Sequence, residues 1–165
     1  GLDVTEQARI LPSEVARLAR RAGAAEEDAG ALDRLTASGG QMIAAGSVAA
    51  NPMLRFIVDA LRFYFEFHAR YDGFYGAFIH DPFAVAATID PSLVTTRRVF
   101  VDVETGPGLA HAMTIADWRG ITSNAPNVEV AVSGDRAIFL ERFIDRVGGL
   151  ANRERRPPGQ RVSPD

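Results

Sequence analysis

His80 and Asp81 stand side by side in the stretch Ala77-Phe78-Ile79-His80-Asp81-Pro82-Phe83-Ala84-Val85-Ala86, where a loop runs into an apolar helix. A histidine changes charge near neutrality and suits proton transfer. A carboxylate beside it suits a hard metal ion. One reading therefore places both side chains in one site, with His80 carrying a proton and Asp81 binding a metal. The other reading is architectural. Pro82 has a fixed φ and no N–H to lose, so it suits the first helical position, which makes Asp81 the N-cap and His80 a loop residue before it. Spacing leaves both open.

The elements that must position this pair are legible in outline. Gly1 to Ile10 reads as the end of a strand followed by a loop. Pro12-Ser13-Glu14 opens a helix running to Arg21, with Val15, Leu18 and Ala22 at helical spacing and Gly23 as its stop. From Ala24 to Ala50 the chain is alanine-rich. Glu26, Glu27 and Asp28 favour a helix start at the positive end of the dipole, and Gly39-Gly40 separates two short helices or marks a loop. No GxxxxGK is present, so this is not a phosphate loop.

Asn51-Pro52 begins the longest predicted helix, to about Tyr71. Leu54, Ile57, Val58, Leu61, Phe65 and His68 recur at i+3 and i+4 as a core-facing stripe. Arg55–Asp59 and Arg62–Glu66 are set four apart for weak ion pairs on the opposite face. Phe56, Phe63, Tyr64 and Phe67 make the helix apolar beyond one core face, which predicts burial in a larger domain or a contact between chains.

From Arg97 the period changes to two. Val99, Val101 and Val103 alternate with Phe100, Asp102 and Glu104, and further short alternating runs around Ile115 and Val130 predict a small antiparallel sheet over residues 97–132. Asp102, Glu104, Asp117 and Glu129 read as its solvent face. Ser133-Gly134-Asp135 then caps a helix with an apolar stripe of Ile138, Phe139, Phe143 and Val147. Residues 151–165 form a predicted disordered tail, arginine- and proline-rich from Arg153 onward.

Composition narrows the function. The 165 residues are 47% hydrophobic and 24% charged, enough to bury one core. The net charge of -3 gives no basic footprint, so nucleic acid is not an expected partner. All 18 cationic side chains are arginine. The absence of cysteine excludes disulfides, thiolate metal sites and a cysteine nucleophile. No apolar run reaches the length of a membrane span, and no signal peptide pattern opens the sequence, which gives a cytoplasmic expectation.

Several stretches resemble one known family. Gly1-Leu2-Asp3-Val4-Thr5-Glu6-Gln7-Ala8 is similar to the GLDVTHQA segment of the inosine-uridine preferring nucleoside hydrolases, with Glu6 in place of the family's histidine. His80-Asp81-Pro82-Phe83-Ala84-Val85-Ala86 is similar to its HDPxAVA. Asp90-Pro91-Ser92, Thr95-Thr96-Arg97, Val101-Asp102-Val103-Glu104, Thr114-Ile115-Ala116-Asp117-Trp118 and Asn127-Val128-Glu129-Val130 continue in the family's order.

The resemblance implies an α/β fold, the C-terminal portion of a Rossmann-like nucleoside-hydrolase domain over residues 1–150, with mostly helices plus the small antiparallel sheet. It implies hydrolysis of the N-glycosidic bond of a ribonucleoside to free base and ribose. It makes His80 the catalytic residue that assists the departing base and Asp81 a calcium ligand. Purine-specific relatives carry an aromatic residue before that aspartate, so His80 points to the inosine-uridine branch. The segment 68–76 matches the part that overlies the active site in relatives, which makes His68, Tyr71 and Tyr75 candidate substrate-binding residues. Relatives form dimers or tetramers, so a homo-oligomer is expected.

The family's N-terminal DxDPGxDDA motif, its earlier Thr-Gly turn and its Glu-Phe-Asn ribose stretch do not occur in their family places. One aspartate is too few for a calcium ion, which takes roughly six to eight oxygens. The expectation is a part of a longer enzyme, inactive alone. The alternative is a non-catalytic fragment acting as an interaction module through helix 51–71.

Overall fold

The computed structural model describes residues 2–35 and 41–154. Among the described residues seven helices and five strands follow one another: α1 (Leu2–Thr5), β1 (Arg9–Ile10), α2 (Pro12–Arg21), α3 (Glu26–Asp33), α4 (Gly46–Ala50), α5 (Pro52–Tyr71), β2 (Ala77–Phe78), α6 (His80–Ile89), a 3-10 turn (Pro91–Leu93), β3 (Val94–Val103), β4 (Thr114–Asp117), β5 (Val128–Gly134) and α7 (Arg136–Glu154). The Gly39-Gly40 pair and most of the predicted tail lie outside the described residues.

α2 forms where expected, with Pro12 in its first turn, where a missing N–H costs nothing. Its apolar side buries Val15, Leu18 and Ala19. α3 covers one flank through Ala29 and Leu32, and α7 covers the other through Leu140, Ile144 and Ala151. The α2–α7 approach needs a glycine. A Cβ on Gly148 would stand 2.8 Å from Arg21 Cβ and 3.1 Å from the Leu18 carbonyl oxygen. Two ion pairs flank the seam, Arg17–Glu141 at 2.5 Å and Arg21–Asp145 at 2.7 Å.

α5 also follows its periodicity. Leu54, Val58, Phe65 and His68 are buried, and Ile57 and Leu61 are partly so. The expected Arg55–Asp59 and Arg62–Glu66 ion pairs do not close among the described residues, because solvated side chains gain too little from pairing to hold one geometry.

Two strand pairings matter. β1 and β2 form an antiparallel bridge with Arg9 opposite Phe78 and Ile10 opposite Ala77. The Ile79 N–H extends it by donating to the Ala8 carbonyl at 2.9 Å. The expected antiparallel sheet is present with order β4-β3-β5. Its β3–β5 register runs from Val94↔Gly134 to Val99↔Val128, with an irregularity between Thr95 and Thr96. Val99 alone of its alternating valines is buried, because the distal sheet carries no layer on either face among the described residues.

Three local expectations are corrected. Residues 2–5 form a helical turn, not the end of a strand. The Glu6 N–H closes on the Leu2 carbonyl at 2.7 Å, and only Val4 of the turn points inward. Asp81 is not the N-cap of α6. The helix starts earlier, Ile79 is its cap, and Asp81 and Pro82 both sit in the first turn. Proline tolerates that place as well, since N–H groups throughout the first turn lack intrahelical partners. Finally, Ile138 faces outward in α7, while Phe139 and Leu140 face the core. Asp135 sets this phase by accepting the Ile138 N–H at 2.9 Å.

Candidate active site

The β1–β2 bridge carries the end of α1 to the start of α6, so Thr5 meets His80 across 75 residues of sequence. The Thr5 hydroxyl oxygen lies 2.8 Å from His80 Nδ1. Phe78 flanks the imidazole, with ring centroids 5.6 Å apart. Nε2 has no hydrogen-bond partner among the described residues, and the side chain is half-buried. The ring is thus held at one nitrogen and open at the other, the arrangement an imidazole needs to hand over a proton.

Asp81 opens to a different side. Its carboxylate is exposed at the positive end of α6 and borders a groove of about 490 Å³ between α6 and α7. Val85, Ile89, Phe139 and Phe143 make that groove apolar, and His80 is not part of its lining. Asp90 pairs with Arg142 along the same groove.

A calcium ion takes roughly six to eight oxygens. Asp81 offers a single unpaired carboxylate, and among the described residues no group of three or more His, Cys, Asp or Glu is placed to hold a metal. The described residues therefore do not make a calcium site by themselves.

The three candidate base contacts occupy distinct settings. His68 is buried, its Nδ1 2.7 Å from Asp72 Oδ2 and its ring stacked on Phe74 at 5.2 Å. Phe78 touches both His68, at 4.9 Å between centroids, and His80. Tyr75 accepts the Met42 N–H at 2.9 Å and sets its ring edge-on to Phe65. Burial pushes its hydroxyl pKa up, with the Met42 hydrogen bond opposing. Tyr71 is 63% exposed and leans on Phe67. His68 and Tyr75 fasten the 72–76 loop to α5, and Tyr71 is the exposed one of the three, with the Arg70 guanidinium 5.3 Å from its ring centroid.

Arg9 was not among the residues singled out by sequence, yet its guanidinium lies 4.8 Å from the Phe74 ring centroid and 5.0 Å from that of Phe78. It places a fixed positive charge on the aromatic wall next to His80. Thr5 was inside a quoted motif but had no role there. Its partnership with His80 depends on a contact that local pattern does not carry.

Helices, a small antiparallel sheet and an anchored histidine at a helix start make this a mixed α/β fragment. A family profile described as inosine-uridine preferring nucleoside hydrolase matches residues 1–141, and the chain belongs to that family. It is 30% identical over 154 residues to the pyrimidine-specific ribonucleoside hydrolase RihA of Enterobacter sp. (strain 638), covering 93% of this chain and 40% of that protein. The RihA of Escherichia coli O8 (strain IAI1) is 37% identical over 98 residues, covering 59% of this chain and 32% of that one. Among solved structures, a purine-preferring ribonucleoside hydrolase from Gardnerella vaginalis superposes with a TM-score of 0.65 at 27% identity, covering 92% of this chain and 39% of that one. A plant nucleoside hydrolase shares the fold, with a TM-score of 0.60 at 21% identity and coverage of 90% and 40%. The chain spans about a third to two fifths of the length of these curated relatives.

No helix among the described residues is long and apolar enough to cross a membrane.

Proposed function

We propose that residues 1–150 are the C-terminal portion of a ribonucleoside N-glycosidase domain that hydrolyses a nucleoside to free base and ribose. The observation that supports this reading is the His80 imidazole, anchored at Nδ1 and open at Nε2 within a stretch the family profile spans. In the reaction the electron pair of the C1′–N bond goes to the base nitrogen, which takes the Nε2 proton of a protonated His80. A water oxygen bonds to C1′, and its proton returns to solvent, from which His80 is recharged. Tyr71 offers a stacking surface to the base, and His68 and Tyr75 hold the loop that follows it. The part proposed for Asp81 is one oxygen ligand of a calcium ion whose other ligands come from a longer polypeptide. A homodimer or tetramer is the proposed assembly.

The test is an assay of ribose release from inosine and from uridine. The longer polypeptide read in the same frame should hydrolyse one or both, and His80→Ala should slow it by about 10²–10⁴-fold. The 165-residue chain alone should show no turnover and no tight calcium binding by titration calorimetry. A frame without a DxDPGxDDA segment, or chelator-sensitive hydrolysis by the chain alone, overturns the proposal.

A second reading has one observation in its favour. Phe56 and Phe63 on α5 are 73% and 69% exposed, so the helix carries an apolar face that the described fold leaves uncovered. A non-catalytic fragment binding through α5 would show that face without any ribose release.

A further inference from the structure

Resting on the reading of His80 as the leaving-group residue, we infer that Thr5 is its positioning residue: the Thr5 hydroxyl oxygen accepts the Nδ1–H of His80, so that Nε2 is the nitrogen presented to the departing base.

The direction of this hydrogen bond follows from where Thr5 sits. It ends α1, and its Oγ1 lies 3.4 Å from the Leu2 carbonyl oxygen three residues back. That is where a helical threonine sends its one hydroxyl proton. With the proton on the backbone side, Oγ1 turns lone pairs toward His80, and 2.8 Å is the separation of a full hydrogen bond. An imidazolium carries hydrogen on both nitrogens, so toward a protonated His80 the hydroxyl can only accept. The ring keeps that Nδ1 proton when neutral.

The backbone holds both partners in place. Val4, beside Thr5, is 2% exposed. The Ile79 N–H beside His80 is bonded to the Ala8 carbonyl, three residues after Thr5. Phe78 closes one face of the ring. The consequence for chemistry is economical. A protonated His80 gives its Nδ1–H to Thr5 and its Nε2–H to the base. Once the Nε2 proton has left, the neutral ring already has the tautomer that Thr5 prefers, so no ring flip or proton exchange at Nδ1 is needed between turnovers.

Nitrogen-15 NMR of the 165-residue chain reads the tautomer directly. The chain has three histidines, His68, His80 and His111, and His80→Gln identifies the ring in question. The spectra are followed upward in pH until the ring nitrogen shifts stop changing, so that the neutral ring is the one observed. The expected result is a protonated Nδ1 and a bare Nε2 in the wild type, the same in Thr5→Ser, and loss of the Nδ1–H signal in Thr5→Val as the proton moves to Nε2, the form an unrestrained imidazole prefers. A wild-type ring protonated at Nε2, or a Thr5→Val ring still protonated at Nδ1, overturns the inference. If the valine variant does not fold, the wild-type and serine spectra decide. No substrate enters the measurement, so a wrong tautomer sinks the role of Thr5 without touching the hydrolysis reading. A correct tautomer in an inactive longer polypeptide sinks the hydrolysis reading and leaves Thr5 in place.

Discussion

Asn51 Nδ2 donates to the Ala151 carbonyl at 3.0 Å, tying the start of α5 to the last turns of α7 across 100 residues. The same side chain caps α5, its Oδ1 accepting the N–H groups of Met53 and Leu54 at 3.1 and 3.2 Å. Asn51 is 1% exposed, so each of these groups loses its partner without gaining water when the side chain is removed. Asn51→Ala is expected to lower stability by about 2–4 kcal/mol, the sum of a lost cap of about 1 kcal/mol and an orphaned buried carbonyl. Asn51→Ser should recover about 1 kcal/mol of that by restoring the cap alone. Urea unfolding midpoints at unchanged slope measure both.

Gly134 and Phe83 form a second tight pair. A Cβ on Gly134 would fall 2.4 Å from Phe83 Cζ, and Phe83 is 1% exposed against Phe139. Gly134→Ala is expected to cost about 1–3 kcal/mol through overpacking. Phe83→Ala alone should cost about 3–5 kcal/mol by leaving a cavity. Because the clash disappears with the ring, the double variant should be more stable than the sum of the two singles. Strict additivity in a denaturant double-mutant cycle would show that the two positions do not meet.

The long elements were readable because their determinants are local. Asn51-Pro52 is a cap and a first-turn proline, and Leu54, Val58 and Phe65 repeat on one face, so α5 could be drawn from the sequence with its core side correct. The sheet around β3 announced itself by its change of period. What escaped was whatever depends on partners far away in the chain. Val4 and Thr5 favour strands by type, yet they form a helical turn that buries Val4 beside Gly134 at the end of β5. Asp81-Pro82 reads as a cap and lies within the first turn of the helix, since Pro82 is acceptable anywhere in that turn. The pairing of Thr5 with His80 depends on the β1–β2 bridge, and two-residue strands leave no periodic trace.

Asp117 predicts an acid-sensitive loop. Its carboxylate accepts the N–H groups of Ile121 and Thr122 at 2.9 and 2.8 Å and the Thr122 hydroxyl at 2.7 Å. These bonds, led by those from Thr122 and Ile121, hold its pKa down from 3.8 to about 2. A depressed folded value means the contribution is fully present above the unfolded value of 3.8 and is lost as pH falls through about 2. Protection factors of the Ile121 and Thr122 amides should therefore fall between those limits. In Asp117→Asn one acceptor oxygen remains, so the same amides should be less protected than in the wild type, and the acid step should vanish.

Two neighbouring phenylalanines on α5 separate folding from association. Phe65 is fully buried against Tyr75, whereas Phe63, two positions earlier, is 69% exposed on the face it shares with Phe56 and Phe67. Phe65→Ala should cost about 3–5 kcal/mol, the usual penalty for emptying a core aromatic site. Phe63→Ser removes no described core contact and should change stability of the monomeric chain by less than about 0.5 kcal/mol. Its effect should appear elsewhere. Exposed aromatic surface of this kind is covered by a larger domain, by another copy or by a partner, so in the longer polypeptide Phe63→Ser should either destabilise the fold or shift the sedimentation coefficient toward a smaller species. A serine variant indistinguishable from wild type in stability and in sedimentation, in the chain and in the longer polypeptide alike, would mean that α5 presents this face to solvent and that neither domain burial nor assembly explains its composition.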